Sequence, residues 1–387
     1  MDTLTVGVIG AGWMGHVHAR AYGRLTQHWP DLPLRPRVAA VADSSPAAAS
    51  AFARAHGEEV TEYADWRDLV ADPSVEAVSV TAPNAMHREI GVAVAEAGKH
   101  LWIEKPVGLT AKDALAVRDA VAAAGVVGCV GFNYRHVPAV ARARRLVASG
   151  AIGTPTHARV QLFTDYAAHP GSPLSWRYAV ARGGHGVLGD LASHGVDLLR
   201  FVLGDVVAVT AQTSITIPRR PVADAQGHYS VLDVDDPDLT FGEVENEDYV
   251  VAILRMASGV IGVCEADRAA VGEQNNYALE VHGSAGLVRW DFRRPGELQV
   301  SSGTQYAGQA TTTVFSEPGD GEYAAFQPGA GIAMGYDDTK VVEAMNFVRA
   351  VAGEAAELAT LDDAVASGRA LDAMVQSQDN GEWVQVG

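Results

Sequence analysis

Thr3-Leu4-Thr5-Val6-Gly7-Val8-Ile9-Gly10-Ala11-Gly12-Trp13-Met14-Gly15 is the stretch on which the reading of the fold turns. A short β-branched run, 3–9, ends in Gly-x-Gly-x-x-Gly, and a helical pattern follows to about Leu25. The three-glycine string alone is weak, but between a strand and a helix it gains a mechanism. Gly10 permits the tight turn, Gly12 lets backbone approach a pyrophosphate, and Gly15 lets helix and strand pack closely. The helix N-terminus then faces the phosphates. The next strand, 38–43, ends in Asp43, placed to accept hydrogen bonds from the adenosine ribose hydroxyls. A 2′-phosphate there would meet a carboxylate, and Ser44 and Ser45 follow instead of an arginine, which favours NAD over NADP. FAD is the alternative dinucleotide. Asp43 lies further from the glycines than usual because 27–37, with three prolines, reads as an inserted loop.

Outward from this stretch, strands at 75–81, 100–103 and 126–132 alternate with helices at 46–56, 65–71, 85–97 and 110–124. That is the βαβ pattern of a parallel sheet covered on both faces. Beyond 132 the pattern changes. A helix at 137–148 and a strand at 156–164 precede an irregular segment, 165–190, and a helix at 191–203. Strand-like runs follow at 206–217, 249–257, 260–267, 277–282, 286–291, 297–301 and 311–315, with an acidic surface excursion at 218–248. Two helices, near 338–352 and 361–377, close the pattern. The expected fold class is α/β: a Rossmann dinucleotide-binding domain, 1–132, and an α/β domain with an open, mostly antiparallel sheet, 133–387. The second domain is expected to bind substrate and to form the oligomer.

Composition limits the function. With 47 acidic and 29 basic residues, the formal charge is −18, which repels nucleic acid and anionic membrane. The densest basic run, Arg142, Arg144 and Arg145, reads as the solvated side of a helix. No stretch of eighteen apolar residues exists to span a membrane, and the apolar N-terminal run has no basic region before it and reads as a strand rather than a signal peptide. Cys129 and Cys264, both in apolar runs, read as buried thiols in a reducing, cytoplasmic setting. Only four lysines occur, Lys99, Lys105, Lys112 and Lys340.

Two clusters carry chemistry. Glu104-Lys105-Pro106 ends the strand 100–103, where ligands of open α/β sheets bind, so the Lys105 amine can reach a substrate hydroxyl above the sheet. Asp190 and His194 lie four apart and, with Asp197, share one helix face, while Leu191, Leu198 and Leu199 supply an apolar one. An aspartate beside an imidazole makes a base tuned near neutral pH. Capping is an alternative role for Asp190, which sits near a helix start. Metal binding by His185, Asp190 and His194 is the rival reading; without a cysteine partner or an HExxH pattern, no metal is expected.

These pieces together resemble the glucose–fructose oxidoreductase/inositol dehydrogenase (Gfo/Idh/MocA) family. Thr81-Ala82-Pro83-Asn84 with His87 is similar to a family segment, as is Phe132-Asn133-Tyr134-Arg135 with Pro138 at the domain boundary. The resemblance implies an NAD-dependent sugar or cyclitol dehydrogenase. It makes Lys105 the catalytic lysine, with Asp190 and His194 the polar pair beside the reacting carbinol. It places Trp13 and Met14 by the nicotinamide, and Ala82, Asn84, His87, Glu104 and Lys105 among the cofactor residues with Gly10, Gly12, Gly15 and Asp43. Asp165, Ser172-Pro173-Leu174-Ser175-Trp176-Arg177-Tyr178, Asn275-Asn276-Tyr277 and the run from Gly331 to Tyr336 resemble members that oxidise the anhydrosugar levoglucosan at carbon 3.

The implied substrate residues are Lys105, Tyr134, Asp165, Trp176, Arg177, Asp190 and His194. Trp176 would stack on a sugar face, and Arg177 would bind a hydroxyl or close the pocket. His194 is the first choice of base, with Lys105 the other. NAD-dependent inositol dehydrogenase, an NAD-using glycosidase or epimerase on the same fold, and a non-catalytic sensor are the alternatives. Strands such as Tyr249 to Met256 and Val260 to Glu265 are too apolar to leave one sheet face in water, so a homodimer or homotetramer through that sheet is expected.

Overall fold

Strand and helix alternate from the start: β1 (Asp2–Ile9), α1 (Trp13–His28), β2 (Leu34–Ala42), α2 (Pro46–His56), β3 (Thr61–Tyr63) and α3 (Trp66–Ala71). Then follow β4 (Ala77–Val80), α4 (Asn84–Glu96), β5 (His100–Ile103), α5 (Ala111–Ala124) and β6 (Gly128–Val130). These assignments come from a computed structural model, which describes residues 2–57, 59–223 and 230–387. The six strands are all parallel, in the order β3-β2-β1-β4-β5-β6. Strand order reverses between β1 and β4, so the crevice for a ligand opens beyond their carboxyl ends. Val78, Val80, Leu101 and Ile103 pack on one side against α3, α4 and α5. Leu4, Val6, Trp102 and Cys129 pack on the other against α1. That two-sided burial is why these strands lack alternation.

The remaining elements begin with α6 (Pro138–Ala148), β7 (Pro155–Phe163) and α7 (Val180–Gly183), after which a π-helical turn, Leu188–Ala192, runs into α8 (Ser193–Leu203). Next come β8 (Val206–Ser214), β9 (Arg219–Pro221), β10 (Phe241–Glu243), β11 (Tyr249–Met256), β12 (Ile261–Asp267) and β13 (Asn276–Gly283). The chain continues through β14 (Gly286–Asp291), β15 (Glu297–Ser302), β16 (Thr312–Phe315), α9 (Tyr336–Val351), α10 (Leu361–Asn380) and β17 (Val384–Gln385). Nine strands form an open sheet in the order β16-β15-β14-β13-β7-β12-β11-β8-β17, antiparallel except for β7 with β12. Helix α8 lies close on this sheet because Gly195 has no side chain: a Cβ there would stand 2.7 Å from Leu162 Cδ1 and 3.0 Å from Cys264 Sγ. Both cysteines are free and buried, and among the described residues no helix is long and apolar enough to cross a membrane.

Several expectations change. The chain packs as two units, but not by one cut after residue 132. The first unit takes residues 1–136, 322–328 and 334–365, and the second takes 137–321, 329–333 and 366–387. The reason is α9: Val341, Met345 and Phe347 bury against Trp102 and Cys129 of the parallel sheet. The loop expected at 27–37 is partly strand, since β2 starts at Leu34. Pro36 is tolerated because there β2 pairs on one side only, with Leu4; pairing with β3 starts at Ala40. The three-residue β3 was too short to stand out. The excursion 218–248, of which 224–229 lie outside the described residues, holds the small β9–β10 pair, and its end, Asn246 to Asp248, is buried. The arginines of α6 are engaged rather than merely solvated. Arg142 and Arg145 both pair with Asp320, and Arg144 lies over the Phe201 ring.

Candidate active site

The candidate residues fall in both units. In the first, the glycine loop has the form its sequence demands. Gly10 adopts φ +98°, and a Cβ there would press on the Thr81 carbonyl at 2.8 Å. A Cβ on Gly15 would stand 2.1 Å from the Gly10 carbonyl oxygen, whereas one on Gly12 would meet nothing. The turn is therefore closed on the protein side and open at Gly12, which is the N-cap of α1. A dinucleotide pyrophosphate needs that cradle, so the residues present fit NAD. Thr81 closes the loop from behind, its hydroxyl donating to the Gly10 carbonyl at 2.7 Å. Asp43 sits just past β2. One carboxylate oxygen accepts Ala11 N–H and the other Ser45 N–H, each at 2.8 Å. The aspartate expected to read the ribose thus also fastens the glycine loop.

Trp13 is exposed and stacks on Tyr336, ring centroids 5.6 Å apart. The Tyr336 hydroxyl reaches Met14 Sδ at 3.8 Å, and Tyr134, which is buried, stands edge-on to the same ring. Ala82 and Asn84 flank the start of α4 and are half-buried. His87 is fully buried, its ring nitrogens 2.7 Å from the carbonyls of Ala82 and Pro106. It braces the turn after β4 against the turn after β5, and burial pushes its pKa down. The residue expected among those of the cofactor site thus also has a bracing role.

Glu104 also has a bracing role. Its carboxylate is turned inward, with Oε1 2.5 Å from Lys340 Nζ and 3.0 Å from His18 Nε2. Burial pushes His18 down to about 4, so it is neutral. With no partner at Nδ1 among the described residues, its Nε2 carries the proton that Glu104 accepts. Glu104 Oε2 takes the Lys105 backbone N–H at 3.3 Å. Lys340 also lies 2.9 Å from Glu343 Oε2, and both are fully buried. Burial opposes the ammonium, but the two carboxylates hold its pKa above the ordinary lysine range. Burial likewise opposes the Glu104 charge, and Lys340 and His18 overcome it, leaving the carboxyl well below its usual range. Glu343 has weaker support, and burial pushes it up to about 7. Lys105 itself is half-buried, one residue beyond this cluster.

In the second unit, Asp190 is half-buried on the π-helical turn, and His194 and Asp197 are buried on α8. Asp190 is not the N-cap of either element: it lies inside the π-helical turn, and its N–H donates to the Gly186 carbonyl at 3.0 Å. Its side chain accepts from the Tyr166 hydroxyl at 2.5 Å, a partner that sequence spacing gave no means to find. Asp165 is half-buried just beyond β7. One aspect of Trp176 carries the Arg177 guanidinium, 4.4 Å from the ring centroid. No group of three or more metal-ligating side chains occurs among the described residues.

Residues 4–132 match the oxidoreductase family with NAD-binding Rossmann fold, and residues 140–289 match the GFO/IDH/MocA C-terminal domain. The chain belongs to the GFO/IDH/MocA family. As a member it is an NAD-binding oxidoreductase. It is 36% identical over 391 residues to levoglucosan dehydrogenase of Pseudarthrobacter phenanthrenivorans, covering 100% of this chain and 99% of that one. It is 30% identical over 346 residues to inositol 2-dehydrogenase of Rhizobium meliloti, covering 87% and 92%. A solved levoglucosan dehydrogenase in complex with NADH and levoglucosan superposes with TM-score 0.91 at 35% identity, over 100% of both chains.

The buried carboxylates predict a pH effect. The folded value of Glu343, about 7, exceeds an unfolded glutamate's, so the folded state binds the extra proton between roughly pH 4.3 and 7. The stability this proton contributes is full below that window and lost as pH rises through it. Urea unfolding of Glu343→Gln should therefore gain on the wild type between pH 5 and 8, by about 2 kcal/mol. A difference between the two proteins that stays constant with pH would mean that Glu343 is charged throughout.

Proposed function

We propose that this oxidoreductase is a dehydrogenase of a ring secondary alcohol in a sugar, anhydrosugar or cyclitol, yielding the ketone, with levoglucosan oxidised at carbon 3 as the leading substrate. The observation that carries this reading is full-length likeness to levoglucosan dehydrogenase in a chain whose sequence has Lys105, Asp190 and His194. When bound, NAD⁺ supplies the hydride acceptor. In this reading, the first unit serves the cofactor, and the second serves substrate and assembly. Lys105 donates a hydrogen bond to the carbinol oxygen and stabilises the developing alkoxide. His194 takes the hydroxyl proton. Asp190 binds a neighbouring hydroxyl, Trp176 offers its remaining ring surface to the sugar, and Asp165, Arg177 and Tyr134 shape the pocket. Two buried free thiols suit a reducing cytoplasm.

Turnover of NAD⁺ with levoglucosan, myo-inositol and glucose tests the reading. Net NADH should form with at least one, and its absence throughout, with cofactor retained, would point to transient oxidation within a hydrolase or epimerase cycle. On the productive substrate, Lys105→Ala and His194→Ala should each lower kcat/KM about a hundredfold or more, with NAD⁺ affinity nearly unchanged. Near-full turnover of His194→Ala across pH 6–10 would pass the role of base to Lys105.

Asp43 with no adjacent arginine supports cofactor choice. NAD⁺ should bind at least about tenfold more tightly than NADP⁺ by calorimetric titration, roughly 1.4 kcal/mol. Equal affinity would leave Asp43 only its loop-fastening role.

Assembly is part of the same proposal. Outward-facing Val251, Ile253, Ile261 and Val263 lie together on β11 and β12, with Ile253 40% and Ile261 38% exposed. Charged and polar groups, Arg159, Arg255 and Glu265, rim them. A second copy covering this face would bury the patch. Sedimentation equilibrium at micromolar concentration should give a dimer or a dimer of dimers; a single 40.6 kDa species throughout would show that the face stays in water.

A further inference from the structure

The Tyr166 hydroxyl stands 2.5 Å from Asp190 Oδ2, and a phenol meeting a carboxylate can only donate to it. Both ends of this bond are anchored to one buried assembly in the second unit. On the Tyr166 side, Thr164 N–H donates to the Asp267 carbonyl at 2.9 Å and Ala167 N–H to the Arg268 carbonyl at 3.0 Å. On the Asp190 side, Val187 N–H donates to the Glu247 carbonyl at 2.9 Å and Leu188 N–H to Glu247 Oε1 at 3.0 Å. Asn246 Nδ2 holds the carbonyls of Arg177 and Gly184 at 2.8 Å each.

Arg268 joins the two sides. It is 1% exposed, donates to Asp248 Oδ1 at 2.8 Å and to Asn246 Oδ1 at 2.9 Å, and lies over the Tyr178 ring. Gly186 leaves room for it, since a Cβ there would stand 2.9 Å from Arg268 Nη1 and 2.2 Å from the Glu247 carbonyl oxygen. A π-helical turn is an uncommon carrier for a side chain and recurs at functional sites. Here its backbone is pinned from outside, and its one aspartate is held at the carboxylate.

We propose that Tyr166 is a positioning residue for Asp190: its hydroxyl fixes the carboxylate in one orientation, so that Asp190 meets a substrate hydroxyl without first being ordered. The proposal rests on the reading of Asp190 as a substrate-binding residue. Charge-assisted hydrogen bonds of this kind are short and directional, and ordering a catalytic group in advance removes that ordering from the barrier.

The test places Tyr166→Phe in the wild type and in Asp190→Asn, using the polyol with the highest turnover in the screen above. In the wild type, the expected result is about tenfold or more lower kcat, NAD⁺ KM within twofold, unchanged NADH binding by fluorescence, and a melting temperature within about 3 °C. In the Asp190→Asn background, the same change should add less than twofold, because the residue through which Tyr166 acts is already altered. Where turnover of Asp190→Asn falls below detection, polyol binding to the NADH complex, read by fluorescence, gives the same comparison. An equal loss in both backgrounds would make Tyr166 a structural anchor only and overturn the proposal, as would no loss in the wild type. Full turnover of Asp190→Asn would instead remove the reading of Asp190 itself, and the positioning role with it.

Discussion

One ammonium group, that of Lys340, organises the first unit. It is fully buried between Glu104 and Glu343, a placement that is favourable only while Glu104 remains charged and close. Through Glu104 it reaches the backbone of Lys105, and its hydrogen bond to the Gly131 carbonyl, 3.4 Å, touches the chain just past β6. Trp102, fully buried, stacks on His18 at 3.6 Å beside the cluster. A helix more than two hundred residues beyond the parallel strands is thereby bound to the end of β5, where the candidate lysine stands.

The second unit solves the same problem with another buried ion pair. Arg268 and Asp248 are enclosed as completely as Lys340 and Glu343, and they hold a loop rather than a helix. In both units a charged pair that is costly to desolvate lies directly behind a residue assigned to chemistry. Apolar packing could stabilise either region. It could not orient a backbone N–H or a carboxylate, because dispersion forces have little direction, whereas hydrogen bonds to ionised groups are strongly directional.

The division of labour among the glycines follows from close approach. Gly10 and Gly15 have no room for a side chain, and Gly12 has room that must be left to a ligand. Spacing alone conveyed these roles because a strand-to-helix turn has few solutions. Lys105 drew notice for a related reason: it stands just past the carboxyl end of a parallel strand, where ligands of open α/β sheets bind. Asp190 and His194 were found by helical spacing, although the turn that carries Asp190 is π-helical. Four residues bring two side chains to nearly the same side in either geometry. Tyr166, Glu247 and Arg268 carried no such mark. They lie 24, 57 and 78 residues from Asp190 in sequence, and no local period connects them.

By itself the sequence determined the parallel first sheet, the antiparallel character of the second and the dinucleotide loop, and it pointed to the three polar residues proposed for the chemistry. Each is a local matter of apolar period, a glycine where a side chain cannot fit, or a charged residue at a strand or helix end. Only the tertiary structure decided that α9 belongs to the first unit, that Glu104 and His87 turn inward as braces, and that the end of an acidic excursion is a buried anchor for Asp190. Those outcomes depend on which distant partner neutralises a buried charge or accepts a buried N–H. Such pairings carry no sequence period, because the partners are brought together only when the chain has folded.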